Sequence, residues 1–400
     1  TRFASNRNTS NIIIIFDSVM NILLLGATGS IGRSVLSVID QNNSELSLFG
    51  ISFNENASEA ENIIKEFSPS YVYIDNQNVF KCQKSTNKTQ YLNGDSALRD
   101  LINHEDVDVI ICAVSGFAGL KATHLAASTG KKILLANKES IVAGGDLILP
   151  LAKENNSEII PIDSEHNAIF QCLLGEKDTK DVRKITITAS GGPFLDKKLS
   201  ELKNVTKLEA LNHPNWEMGN KVTIDSATLV NKCLELIEAK YLFDLDEKYF
   251  DLVVHPQSIV HSIVTYVDGS SICQLSMPDM RVPIAHALSN INRLSIDYDP
   301  VDFNSLNLTF QEFPNDRKKI QDIARHVCNE GGHLGTIFNA ANEVAVESFL
   351  NDQITFEKIY EVIYRTFDIN SMSKEVSIES INEVDAQTRI HAHKVVKSFA

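Results

Sequence analysis

Two short stretches carry the residues best able to do chemistry. Asp163 and Glu165 stand two apart at the end of an apolar run, Ile159 to Ile162, and side chains two apart on a strand can point the same way. Leu211 to Lys240 reads as a loop joined to a helix, and the loop holds the only tryptophan, Trp216, with Pro214 and Gly219 punctuating it. The helix is expected to begin at Ser226, a good N-cap after Asp225. On it Leu229, Val230, Cys233, Leu234 and Ile237 form one apolar stripe, and at about 100° per residue Asn231, Lys232 and Glu235 share the opposite face. A hydroxyl at a helix N-terminus, with an amide and an ammonium beside it, suits an anion such as phosphate. The plainer alternatives are a solvated polar face here and, for Asp163 and Glu165, a carboxylate pair capping the next helix.

The elements that must position these groups begin at Met20. Asn21 to Leu25 reads as a buried strand, followed by Gly26-Ala-Thr-Gly29-Ser-Ile-Gly32 and an amphipathic helix to about Ile39. Strand, glycine turn and helix make a Rossmann-type opening, in which small residues let backbone amides approach a pyrophosphate, although the spacing is GxxGxxG rather than GxGxxG. Strands at Leu46 to Phe53, Tyr71 to Ile74, Val107 to Ala113 and Lys132 to Ala136 then alternate with helices at Ser58 to Phe67, Ser96 to Asn103 and Gly119 to Ser128, which implies a mostly parallel sheet covered on both faces. Strand two ends at Phe53-Asn54-Glu55-Asn56, where the adenosine ribose would be read. Glu55 favours a free 2′-hydroxyl there, whereas Ser52, Asn54 and Asn56 suit a 2′-phosphate. Asn137-Lys138-Glu139-Ser140 follows a strand directly, at the carboxyl edge where such folds bind ligands; a surface turn is the alternative.

From Arg183 a second unit is expected, with a strand Ile185 to Ala189, an anion-suited turn Ser190-Gly191-Gly192-Pro193, and strands Val260 to Tyr266 and Ser270 to Leu275 flanking the hairpin signal Asp268-Gly269. Met277-Pro-Asp-Met280-Arg281 leads into a helix Val282 to Leu288. Gly335 to Leu350, Phe356 to Phe367 and Ile378 to Phe399 read as three terminal helices. The fold class is therefore α/β, with an N-terminal Rossmann-type parallel-sheet domain, an α+β catalytic domain with a mainly open sheet, and a small C-terminal α-helical domain. The expected divisions are 1–19 as leader, 20–163 as dinucleotide-binding domain, 164–290 as catalytic, substrate and metal domain, 291–315 as linker and 316–400 as C-terminal helices.

Thirty-seven basic against 52 acidic residues leave a net charge of −15 and no basic cluster, which argues against a nucleic-acid partner. No apolar run approaches the ~20 residues that span a bilayer. The six cysteines are scattered without a CxxC, several within apolar runs, and read as reduced buried thiols. His326, His333, His391 and His393 show no partnering pattern and read as surface or satisfied residues. Residues 1–19 are Asn/Ser/Thr-rich; they imply either a bacterial, cytoplasmic protein with extraneous residues or an organellar, plastid-like one with the remnant of a leader.

Taken in order, Gly26-Ala-Thr-Gly-Ser-Ile-Gly, Ala136-Asn-Lys-Glu-Ser, Asp163-Ser-Glu-His-Asn, Ala189-Ser-Gly-Gly-Pro-Phe, His213-Pro-Asn-Trp, Asp225-Ser-Ala-Thr, Met280-Arg and Asn339-Ala-Ala-Asn-Glu closely resemble the 1-deoxy-D-xylulose 5-phosphate reductoisomerase family. The resemblance runs from about Met20 to the end. It implies a homodimeric enzyme of non-mevalonate isoprenoid synthesis that rearranges and reduces deoxyxylulose phosphate to 2-C-methyl-D-erythritol 4-phosphate, with NADPH and Mg²⁺ or Mn²⁺, Co²⁺ being an alternative. By the same resemblance Asp163, Glu165 and Glu235 ligate the metal, and Ser190, Ser226, Asn231 and Lys232 hold the phosphate. Ser164, Lys138 and His213 contact the sugar, and Trp216 and Met218 belong to a closing lid. Cofactor contacts are implied at Thr28, Gly29, Ser30, Ile31, Asn54, Asn56, Asn137, Lys138, Glu139, Gly219 and Met280. The chain departs from the family at Asn220, where a basic residue is commoner, and near Glu55, where a positive or smaller group is.

Two other readings compete. Another nicotinamide-linked dehydrogenase of a phosphorylated or acidic metabolite, such as a semialdehyde dehydrogenase, would use a nucleophilic cysteine near the sheet edge, and Cys112 sits inside a strand. A nucleotide-binding regulator without activity would have lost a carboxylate or the lid, and all are present.

Overall fold

The computed structural model describes residues 19–399 except 87, 177, 290–291 and 369–374, so the expected leader lies, apart from Val19, outside the described residues. Chain order in the first unit is β1 (Met20–Leu25), α1 (Ser30–Gln41), β2 (Leu46–Phe53), α2 (Ala57–Phe67), β3 (Tyr71–Ile74), α3 (Gln77–Phe80), β4 (Gln90–Leu92), α4 (Asp95–Ile102), β5 (Val109–Cys112), α5 (Leu120–Ala127), β6 (Lys132–Leu135), α6 (Lys138–Glu154) and β7 (Glu158–Pro161). The seven strands form one parallel sheet in the order β4-β3-β2-β1-β5-β6-β7. Residues Ile22 to Leu25 of β1 are at most 1% exposed, because helices cover both faces, and two separate apolar cores lie on either side of the sheet. Strand order reverses between β1 and β5, which opens a crevice at their carboxyl ends.

The sequence then runs through α7 (Ser164–Cys172), β8 (Val182–Ala189), α8 (Lys207–Leu211), α9 (Asn220–Thr228), α10 (Val230–Leu242), β9 (Phe250–Val254), β10 (Val260–Tyr266), β11 (Ser271–Leu275) and α11 (Arg281–Leu288). The end of the expected linker is a strand, β12 (Gln311–Glu312), paired with β9. The second sheet is mixed, in the order β11-β10-β8-β9-β12, with β8 and β9 parallel and the other neighbours antiparallel. Asp268 and Gly269 turn the β10–β11 hairpin as expected, Gly269 at φ +89.

The chain closes with α12 (Lys318–Glu330), α13 (Leu334–Leu350), α14 (Lys358–Phe367) and α15 (Ile378–Lys397). Three of these match the sequence reading and α12 is additional. Its buried Ile320, Ala324, Val327 and Cys328 recur at helical spacing within a charged stretch. The sequence also gave no sign of the length of α6, because Gly144, Gly145 and Pro150 look like helix breakers. Gly144 does leave helical geometry, with φ −137 and ψ 21. Gly145 is a packing device: a Cβ there would meet the Tyr241 ring on α10 at 2.7 Å. No described helix is long and apolar enough to cross a membrane. Among the cysteines, 112, 172, 233 and 328 are buried and free as expected, but Cys82 and Cys273 are exposed.

Candidate active site

A deep cleft lies between the carboxyl edge of the parallel sheet and the second sheet. It is lined from Ser30 and Ile31 at one end, through Lys138, Asp163 and Glu165, to Ser190, His213, Trp216, Ser226 and Glu235 at the other. Asp163 ends the connection after β7 and N-caps α7, accepting the Glu165 N–H at 3.2 Å. Both sequence alternatives therefore hold at once: Asp163 caps a helix through Oδ1, and its carboxylate still faces the cleft. One oxygen from each of Asp163, Glu165 and Glu235 falls within 4.8 Å of the others, although Glu235 comes from a helix 70 residues away in sequence. Like charges gather so closely only with a counter-charge. Lys138 Nζ lies 2.7 Å from Asp163 and 2.9 Å from Glu235, and Lys232 Nζ 2.6 Å from both Glu165 and Glu235. An oxygen-only ligand set of this kind, with no thiol or imidazole pair, fits Mg²⁺ or Mn²⁺ better than zinc.

The expected helix start at Ser226 is incorrect. Helix α9 begins at Asn220, runs through Ser226, and ends where Leu229 adopts a left-handed conformation with φ 63; α10 starts afresh at Val230. This break turns two helix segments against the cleft. The face of Asn231, Lys232 and Glu235 is no solvated surface either, because Lys232 is 4% and Glu235 1% exposed. Both sides of α10 are buried, so its apolar stripe alone cannot tell core from site. Burial and the neighbouring Asp163 and Glu165 charges push the Glu235 carboxyl up. Burial opposes the charge on Lys138, but Asp163 and Glu235 outweigh it and hold the ammonium well above its ordinary range. For Asp163 burial is likewise outweighed, by Lys138 and His166, and its carboxyl stays ionised.

The sequence analysis passed over the support behind these carboxylates. His166 is fully buried; Nδ1 lies 3.0 Å from Asp163 Oδ1 and Nε2 2.9 Å from the Glu235 carbonyl, so one ring fixes both segments. Glu238 stands 3.4 Å from the same ring. Although burial alone would lower it, the carboxylates of Glu238 and Asp163 raise His166 to about 9. The Asp-Ser-Glu-His order was visible, but the role of the histidine depends on α10 arriving from a distant part of the chain.

At the far end, Ser190, His213 and Ser226 make a polar corner. His213 Nε2 lies 2.9 Å from Ser190 Oγ and 3.2 Å from Ser226 Oγ. Its Nδ1 accepts the backbone N–H groups of Asn215 and Trp216, at 3.1 and 3.0 Å, so the proton of the neutral ring sits on Nε2 and points into the corner. Burial, with Lys232 nearby, lowers His213 to about 4 and keeps it neutral. The loop tip is therefore pinned at the histidine. Trp216 itself is half-buried, its ring centroid 6.0 Å from that of His261. A half-buried indole gains from a further partner. Saturating a phosphonate inhibitor should accordingly shift the tryptophan emission, which has a single source; unaltered emission together with normal catalysis by Trp216→Ala would mean a static loop.

On the dinucleotide side, Gly26 has φ +93, and a Cβ there would lie 2.6 Å from the Ala113 carbonyl oxygen, so the turn at β1 presses against the loop after β5. Gly32 lets α1 approach the turn, a Cβ meeting Ala27 O at 2.3 Å. Ser30 and Ile31 line the cleft, as do Lys138, Glu139, Gly219 and Met280; Thr28, Gly29 and Asn137 do not. Ser52, expected as a possible phosphate partner, is buried behind the turn, where its Oγ accepts the Gly26 N–H at 3.0 Å. Asn54 and Glu55 are exposed, and Asn56 uses its side chain to cap α2. Asn137 caps α6 in the same way and is 2% exposed. The thiol of Cys112 is buried and pushed up to about 12, which removes it as a nucleophile.

A dinucleotide crevice that opens directly onto an oxygen-only cation pocket is the arrangement of a metal-assisted, nicotinamide-linked oxidoreductase. Residues 22–145 match the family model for 1-deoxy-D-xylulose 5-phosphate reductoisomerase, and residues 159–243 and 275–391 match the models for its C-terminal domains. The chain belongs to the 1-deoxy-D-xylulose 5-phosphate reductoisomerase family. It is 43% identical over 385 residues to the enzyme of that name from Vesicomyosocius okutanii, covering 95% of this chain and 99% of the relative, and 44% identical over 380 residues to that of Clostridium botulinum, covering 94% and 98%. A solved DOX-P reductoisomerase in complex with NADPH, fosmidomycin and magnesium superposes with a TM-score of 0.88 at 38% identity, covering 95% of this chain and 98% of that one. The Zymomonas mobilis enzyme in complex with NADPH gives 0.88 at 36% identity, covering 95% and 100%.

Proposed function

We propose that this cleft converts 1-deoxy-D-xylulose 5-phosphate into 2-C-methyl-D-erythritol 4-phosphate with NADPH and a divalent metal ion. The observation that carries the reading is the convergence of Asp163, Glu165 and Glu235, from two distant segments, beside a glycine turn of the dinucleotide type. A cation held by these carboxylates would polarise the substrate carbonyl so that its skeleton can rearrange, and NADPH would then supply the hydride.

The chain's own residues divide the remaining work. Ser190, Ser226, Asn231 and Lys232 hold the phosphate, a role supported for the two serines by the neutral His213 that aims its Nε2–H at their hydroxyls, while Asn231 and Lys232 stand between that corner and the carboxylates, Lys232 2.6 Å from Glu165. Lys138, kept protonated between Asp163 and Glu235, can donate to a substrate oxygen next to the cation, and Ser164 stands beside it with its hydroxyl on Glu165 at 2.7 Å. His213 orients the sugar. Trp216 and Met218 cover it and exclude water. Asp163, Glu165 and Glu235 are thus the metal ligands of this reading, and Ser30, Ile31, Glu139, Gly219 and Met280 the cofactor contacts within the cleft, with Thr28, Gly29, Asn54, Asn56 and Asn137 supplying backbone or rim contacts.

The test is NADPH oxidation with deoxyxylulose phosphate, with and without Mg²⁺. Activity is expected only with metal, and absence of turnover with metal would overturn the reading. NADPH should also be preferred over NADH by kcat/KM. Glu55 is exposed at the β2 end, where a carboxylate repels a 2′-phosphate weakly because water screens it. A preference for NADH would show that Glu55 reads the ribose hydroxyls.

Assembly as a homodimer belongs to the same reading. It is supported by the outer edge of β11, which pairs with no other strand among the described residues and near which Val267, Ile272 and Met277 are exposed apolar side chains. A monomer by sedimentation equilibrium would count against it.

A further inference from the structure

Among the described residues, none beyond Met280 lines the cleft, so the C-terminal helices contribute nothing to it directly. Two polar side chains of α13 nevertheless reach its walls. Glu343 Oε1 accepts the Phe117 N–H at 2.8 Å, and Asn342 Nδ2 donates to Asp225 Oδ1 at 2.8 Å. Between these two anchors runs a closed ring of polar contacts. The carbonyl of Gly116 accepts from Asn137 Nδ2 at 2.9 Å, and that same nitrogen donates to Glu139 Oε2 at 3.0 Å. Glu139 Oε1 pairs with Lys221 at 2.6 Å, and Lys221 pairs with Asp225 Oδ2 at 2.8 Å. Asn342 then returns the ring to α13. Gly116 is seated directly on the anchor: its φ is +72, and a Cβ there would lie 2.9 Å from Glu343 Oε1. Outside the ring, Arg389 of α15 holds the other oxygen of Glu343 at 2.6 Å and pairs with Asp385 at 2.7 Å.

Each stretch the ring ties together contributes to a wall of the cleft: Val114 and Ser115 just before Gly116, Lys138 and Glu139 at the start of α6, and Met218, Gly219, Val222 and Ser226 on either side of Lys221. The first two follow β5 and β6. They lie on the far side of the switch point from β1 and β2, the half of the crevice that receives the nicotinamide end when a dinucleotide crosses from the glycine turn. Burial makes the ring exacting. Glu139 is 4% and Asp225 1% exposed, and a buried charge that loses its partner moves or draws in water rather than staying in place. The inference rests on reading the cleft as the NADPH and metal site.

We propose that Glu343 and Asn342 are positioning residues for hydride transfer, setting the nicotinamide-side wall from outside the cleft through the Gly116–Asn137–Glu139–Lys221–Asp225 ring. Neither touches substrate. Misplacing a reacting pair by about 1 Å costs roughly a hundredfold in rate, so a wall held at two points has leverage on catalysis without any contact of its own.

The test uses the full-length, metal-loaded enzyme. Wild-type oxidation of NADPH by deoxyxylulose phosphate comes first: its failure would remove the parent reading and this inference with it, whereas wild-type turnover leaves the variants to decide this inference alone. Against that rate, Glu343→Ala is expected to lower kcat about ten- to a hundredfold. The isotope effect with 4-deuterated NADPH should rise as hydride transfer becomes the slow step, and Mn²⁺ affinity should stay unchanged, since Asp163, Glu165 and Glu235 are not in the ring. Glu343→Gln keeps an oxygen for the Phe117 N–H and should recover most of the lost rate. Lys221→Met opens the ring without touching α13 and is the second variant: it should show the same raised isotope effect, even if Glu343→Ala does not fold. A wild-type kcat and isotope effect in folded Glu343→Ala, or in Lys221→Met with only a lower melting temperature, would overturn the proposal and leave the ring a purely structural tie.

Discussion

Glu235→Gln is expected to abolish measurable turnover while leaving the protein folded and able to bind NADPH. The substitution keeps shape and volume and removes one charge. Three carboxylates against the ammoniums of Lys138 and Lys232 leave this cluster at −1, and the amide brings it to zero. A divalent cation then meets a neutral amide oxygen in place of a carboxylate, and no net attraction. Loss of a cation that polarises a carbonyl removes several kcal/mol of transition-state stabilisation, which is about three powers of ten or more in rate. Folding should survive, because Glu235 is buried under strain: burial and the charges of Asp163 and Glu165 already disfavour its ionised form. Manganese titration followed by electron paramagnetic resonance is the decisive readout beside kcat. Near-normal turnover with undiminished Mn²⁺ affinity would falsify the assignment of Glu235 as a metal ligand.

How much of this was legible beforehand depended on whether a residue's role was local. The glycine turn, the alternating strands and the β10–β11 hairpin follow from short-range pattern, since strand period, turn chemistry and burial on both faces of a parallel sheet all leave marks within a dozen residues. The convergence of the three carboxylates was not legible from spacing. Asp163 and Glu165 read equally well as helix caps, and Asp163 is one. Glu235 lay on what periodicity presents as a solvated face, and only resemblance to a family assigned it. Periodicity failed on α9 and α10 for a physical reason. A hydrophobic stripe marks one buried face, but a helix beside an active site buries its polar face too, and a break such as the left-handed Leu229 has no signature when the residue is not glycine. His166, Asn342 and Glu343 stand in stretches that carry the resemblance, yet they and Lys221 received no role, because each acts on a partner brought near by the fold: Glu343 bonds Phe117 across 226 residues. Ser52 misled in the opposite direction, its hydroxyl being turned to the back of the glycine loop instead of its face.

The largest expected effect on stability lies away from the cleft, at Gly335. This residue is the second of α13, and a Cβ built on it would lie 1.8 Å from the carbonyl oxygen of Val142 on α6, with that carbonyl carbon at 2.9 Å. Both obstacles are backbone, so no side chain can rotate away. Beside it Thr336 donates its hydroxyl to the Ala143 carbonyl at 2.9 Å, which locks the same two turns together. Gly335→Ala must then push α13 off α6 or bend α6, opening the apolar contact between them. Overpacking a rigid contact costs about 3 kcal/mol or more, and a drop in melting temperature of roughly 5 °C or more should follow. Gly269→Ala is the matched control. Its φ of +89 makes alanine unfavourable, but nothing lies within 4 Å of the added carbon, so only the backbone cost of about 1 kcal/mol applies. Activity separates two views of the contact. Lys138 opens α6 and Val142 lies one turn farther along it, so a displaced α6 carries Lys138 off Asp163 and Glu235 and lowers kcat in the molecules that remain folded. If Gly335→Ala melts with the wild type, the two helices can separate without cost. If instead it melts early but turns over at the wild-type rate while folded, α13 yields and α6 does not, and the C-terminal helices support the site through side chains alone.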